Sequence, residues 1–229
     1  MARSNLLKDL VSGSTSIENI LLRLKVILSD LEDESIMNWI DGELQGYKEN
    51  KDVPNYRILK GNPTGTFIIN YLTKYTNASV PLEHLLKKEE IDKLITLNIT
   101  DSVAVIQTLL KSENRENYAK VIPTSFCHVI STEEIQIVAM KIAFYSNQLD
   151  GIVSFVKSKL VEVIMELEKQ FENLDDLDIK SQVDTDEKKK EQVIYNIEQI
   201  IYEGSIEIGD KNKITKSRLG HLFGGKNEN

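Results

Sequence analysis

Five side chains in the first quarter of the chain could act together: Trp39, Glu43, Tyr47, Tyr56 and Arg57. Glu43 falls one helical turn past Trp39, and Arg57 directly follows Tyr56 on an expected strand. A charge-assisted contact from Arg57 to Glu43 would therefore staple a helix to a β-hairpin. Such pairs fix architecture more often than they perform reactions, so the five are candidates for structural or interaction roles, and none is assigned a catalytic one. Asp41 and Glu43 could share a divalent cation, but alternate helical positions diverge and a metal needs further ligands. Cys127 adjoins His128, yet a reactive thiolate needs a base beside it in space, and sequence neighbours face apart. A packed cysteine is the expectation, and His84 and His221 read as solvated. There is no Ser/His/Asp order, Gly-rich phosphate loop, His-Glu-x-x-His or paired Cys-x-x-Cys. No cofactor or metal is expected, and the reading leans away from an enzyme.

The elements that must position these residues are mostly helices. The chain has 229 residues, 41% hydrophobic and 28% charged, with 4 Pro and 11 Gly. That composition suits one main globular domain and excludes collagen-like or wholly disordered character. A net charge of −8 disfavours a general nucleic-acid coat, and one cysteine excludes a disulfide framework. No signal h-region or membrane-length apolar run occurs, so a cytoplasmic protein with no membrane partner is expected.

Apolar stripes predict helices at Asn5 to Val11, Ser16 to Leu31 (opened by a Thr15/Glu18 capping box) and Asp33 to Leu44 with Gly46 as C-cap. Tyr56 to Leu59 and Thr66 to Leu72 read as a hairpin joined by Gly61–Gly65. Helical pattern resumes from Leu82 to Lys111 in two pieces, the second capped by Thr100 or Asp101. Ser131–Glu134 reads as a capping box opening a helix through Ile135, Val138, Ile142 and Tyr145, and a long helix follows from Gln148 to Phe171. The fold class is thus mainly α: a helical domain with an embedded hairpin over 1–171, a charged mobile linker over 172–192, and a short β-prone tail. That last unit, 193–223, takes in most of a short helix from Lys189 to Tyr202, then alternating residues around a Gly-Asp turn, and 224–229 should be disordered.

Three blocks carry a family likeness: Asn5–Asp9 with Leu22–Lys25, Trp39–Tyr47 with its W-x3-E-L-x-G-Y pattern, and Val53–Arg57 with its P-x-Y-R pattern. In this order and spacing they resemble the AbiTii domain of bacterial abortive infection proteins, and Gln148–Val153 leading to Met165–Glu168 is similar to the family's later helix. The likeness spans Met1 to Phe171. It implies a role in defence against bacteriophage and supplies no catalytic residues.

Two functional classes follow. The first is an interaction or sensor protein that engages a phage protein or a co-encoded effector. It would form a homo-oligomer through Ile197 and Ile201 on the last helix and through Ile206, Ile208 and Ile214, whose strands would seek completion by other copies. The alternative is a toxin-like effector such as a metal-dependent nuclease with a scattered acidic site. Nucleic acid is expected at most weakly, through Lys211, Lys213, Lys216 and Arg218.

Overall fold

Small polar residues set the starts of the three N-terminal helices before any packing is considered. Ser4, Ser16 and Asp33 each accept a backbone N–H from three residues on, satisfying one orphan donor of α1 (Asn5–Ser12), α2 (Ile17–Ser29) and α3 (Glu34–Gln45). Ser16, rather than Thr15, is the cap of α2. The structure is a computed structural model that describes residues 3–48, 53–113, 115 and 118–202.

Further along lie α4 (Lys88–Ile95), α5 (Val103–Lys111), α6 (Thr124–Ile130), α7 (Ser146–Gln170), α8 (Lys180–Val183) and α9 (Glu187–Tyr202). The long α7 is the hub, packing against α1, α5 and α9, while α3 bridges α2 and α9. One apolar core runs through this bundle, from Leu6, Leu21 and Trp39 to Ile152, Leu160 and Ile197. Two carboxylates on α7 tie its neighbours down. Glu168 accepts from Ser4 and Arg3, and Glu166 accepts from Asn196 of α9.

Among the described residues the strands form two antiparallel sheets. In the small one β1 (Ile58–Lys60) pairs with β4 (Thr96–Asn98), Leu59 opposite Leu97. In the larger one β2 (Asn62–Ile69), β3 (Thr73–Ser79), β5 (Ala119–Ile122) and β6 (Ile135–Ala143) lie in the order β3-β2-β6-β5. α6 covers one face of that sheet and helps enclose a second core around Phe67, Cys127, Met140 and Ile142. Leu59, Leu97 and Tyr118 touch both cores and join sheet to bundle.

The mainly α architecture with a minor β part agrees with the sequence, but four local expectations are corrected. β1 pairs with β4, and the hairpin is β2–β3 with its turn at Asn70 and Tyr71; the Gly61–Gly65 stretch continues into β2. The second helical piece of 82–111 is capped by Ser102, not Thr100 or Asp101. Residues 135–143 form a central strand rather than a helix. Residues 172–192 do not run as a mobile linker: Leu174, Ile179 and Val183 are buried in the bundle core and α8 packs on α9. Of the oligomerisation candidates, Ile197 and Ile201 are buried within the chain's own core. Ile206, Ile208 and Ile214, with Lys211, Lys213, Lys216, Arg218 and the 224–229 end, lie outside the described residues. Among the described residues no helix is long and apolar enough to cross a membrane.

Candidate functional site

The five residues singled out above converge where α3 ends. Trp39 and Glu43 lie on the buried face of α3. Gly46, at φ 90°, breaks the helix so that Tyr47 can fold back, its N–H donating to the Thr100 carbonyl at 2.7 Å. A side chain at Gly46 would be strained by that φ and would meet the Thr100 oxygen at 2.7 Å. At Gly42 it would collide with the Tyr47 ring, so this glycine makes the seat for the tyrosine. The chain returns at Pro54, where a 3-10 turn (Asn55–Arg57) closes with the Arg57 N–H on the Pro54 carbonyl. That turn points Arg57 inward.

Glu43 and Arg57, both 0% exposed, form a two-point ion pair. Glu43 Oε1 accepts from the Tyr47 hydroxyl at 2.8 Å, the Tyr56 hydroxyl at 2.7 Å and Arg57 Nε at 2.9 Å, while Oε2 accepts from Arg57 Nη2. Arg57 Nη1 donates to the carbonyls of Ile99 at 3.1 Å and Asp101 at 2.7 Å, which locks the loop before α5 onto the same guanidinium. The guanidinium also lies 4.9 Å above the Tyr47 ring. The Trp39 indole donates to the Tyr56 hydroxyl at 2.9 Å, and the Tyr56 ring stacks on Phe155 of α7 at 4.7 Å.

The electrostatics follow from that closure. Burial works against the charge on Arg57, but the hydrogen bonds and charge of Glu43 outweigh it and hold the group above its ordinary range. Burial first, and the Glu43 charge second, push the Tyr47 and Tyr56 hydroxyls well above a normal phenol, so both stay neutral donors. Every oxygen of Glu43 is committed to a donor inside the protein. A carboxylate in that condition is a poor base and a poor metal ligand, because either role would first require breaking the ion pair.

The remaining candidates lie apart. Asp41 faces α2 and pairs with Lys25, so it does not meet Glu43 in a common site. Among the described residues no group of three or more His, Cys, Asp or Glu is arranged to hold a metal. Cys127 is buried on α6, where burial pushes its thiol up, and His128 is exposed to solvent beside it. The sequence reading missed Phe155 and the Ile99 and Asp101 carbonyls. A partly exposed aromatic off the buried stripe of α7, and backbone groups with no side-chain signature, gave it nothing to find.

Searches of curated proteins and of solved structures return no match to this chain. A family model does match, over residues 4–194, which takes in the whole Glu43–Arg57 corner and all of α7. On that extent the chain belongs to the AbiTii family, a domain of abortive infection and anti-phage defence.

Proposed function

We propose that this protein serves abortive infection as an interaction module, sensing a phage component or restraining a co-encoded effector, and that the segment after Tyr202 brings several copies together. The observation that carries this reading is the sealed state of Glu43: the most chemically suggestive cluster in the chain is consumed in joining α3, the 55–57 turn and the loop before α5. Support for assembly comes from the alternation of Ile206, Ile208 and Ile214 with polar residues, a pattern whose strand edges favour pairing.

The test is a chain ended after Tyr202. The cut belongs there because α9 contributes Val193, Ile197 and Ile201 to the bundle core, so an earlier stop would unfold the molecule. In a host challenged with phage, the full chain should reduce plaque numbers. The shortened chain should remain folded, scatter light as a monomer and fail to protect. An unchanged oligomer with unchanged protection would refute the assembly part, and a full chain without effect on any phage would refute the defence role.

A further inference from the structure

The β2–β3 hairpin ends in a turn whose residues run against its backbone. Asn70 at φ 50° and Tyr71 at φ 60° both occupy the left-handed region, and the Leu72 N–H closes the turn on the Ile69 carbonyl at 3.1 Å. Hairpins of this kind place asparagine or glycine at both central positions. Asn70 conforms, whereas a bulky aromatic at positive φ is a strained choice that folding alone does not favour. Burial does not offset the strain either, since Tyr71 is 68% and Leu72 89% exposed. The tip is nonetheless held in place. The Asn70 N–H donates to the Glu134 carbonyl at 2.8 Å, and Phe67 stacks on Tyr75 at 5.1 Å just below the turn.

We propose that this tip is an interaction surface, with Tyr71 and Leu72 inserting into an apolar cleft of a protein partner. Single exposed apolar residues are ordinary, but two adjacent ones on a strained, anchored turn, with the half-exposed Tyr75 behind them, form a preordered anchor. The charges beside it select the class of partner. Exposed Glu133 and Glu134 lie beside the turn and exposed Lys74 follows it on β3, a local excess of acid that disfavours phosphate-rich surfaces such as nucleic acid or an anionic bilayer. A cleft with a neutral or basic rim fits. The place of this contact in phage defence rests on the reading given above.

Tyr71→Gly relieves the left-handed strain while deleting the anchor, so loss of folding does not confound it, and Leu72→Gln is the second variant. Both should keep the parent's melting temperature or exceed it, while protection against phage drops by about tenfold or more, as removal of an aromatic anchor does. Full protection by both variants where the parent protects would overturn the proposal. A photo-crosslinking side chain at Leu72, used in the host before and after infection, decides the contact independently of protection. A discrete protein adduct that vanishes when Tyr71→Gly is added is expected; no adduct, or one indifferent to Tyr71→Gly, would overturn it. Sedimentation of the parent, but not the variants, with phosphatidylethanolamine/phosphatidylglycerol vesicles would equally overturn it, in favour of a lipid surface.

Discussion

The Glu43–Arg57 corner and the β2–β3 tip are opposites. In the corner, charged and hydroxyl groups that look reactive are buried and spoken for by one another and by the Ile99 and Asp101 carbonyls. At the tip, Tyr71 and Leu72, which look like core material, stand in water on a turn whose central residues Asn70 and Tyr71 are left-handed. The contrast teaches that residue type is a weaker guide to function than whether a group's interactions are already satisfied within the chain. A satisfied cluster stabilises; an unsatisfied surface is available.

The sharpest way to break this contrast is to open the corner. Arg57→Met leaves the Glu43 carboxylate buried without its cation and should cost about 3–5 kcal/mol of stability in urea unfolding. A loss below about 1 kcal/mol would show that water reaches the pair. Alkali probes the same closure. Tyr47 and Tyr56 have hydroxyl pKa values raised in the folded state, so their contribution is fully present below the ordinary phenol value near 10 and is lost as pH rises above it, where the unfolded chain releases protons that the folded chain keeps. In an absorbance titration, part of the tyrosinate signal from the 8 tyrosines should therefore appear only with unfolding. Independent, reversible titration of all of them would contradict the burial. The smallest effect belongs to the tip: Tyr71→Gly should gain about 1 kcal/mol by relieving strain, whereas a loss would mean that the Tyr71 ring supports the hairpin.

Much of the bundle was legible because its stripes keep one helical phase over many residues, as in Ile17 to Leu28 and Leu149 to Leu167. Where the phase is broken the reading failed. Ile135, Val138, Ile142 and Tyr145 imitate a helical stripe, but β6 carries a bulge opposite Thr66/Phe67 and its buried residues fall at Ile137, Met140 and Ile142, with Val138 exposed. The 172–192 segment hides its core residues because Asn173 and Leu177, both left-handed, turn the chain once before Leu174 and again before Ile179. All five corner residues were visible as types at suggestive spacings, since an acid and an arginine flanked by tyrosines invite pairing. What spacing could not convey is the degree of closure, which depends on carbonyls and on a glycine seat contributed by segments distant in sequence. The tip was read as the end of a strand because Tyr71 continues the alternation set by Phe67 and Ile69.

If the corner holds the fold and performs no reaction, Tyr47→Phe should leave protection against phage in place. The change removes one hydroxyl donor to Glu43 while keeping the ring against Gly42 and beneath Arg57, at a cost of about 1.5–3 kcal/mol, within what a domain of this size tolerates. Plating of phage on hosts expressing parent or variant, with folding verified by circular dichroism at the growth temperature, gives the measurement. A folded variant that protects within a few-fold of the parent is the expected result; a folded variant that has lost protection altogether would contradict a purely structural role and give the Glu43 cluster a functional one.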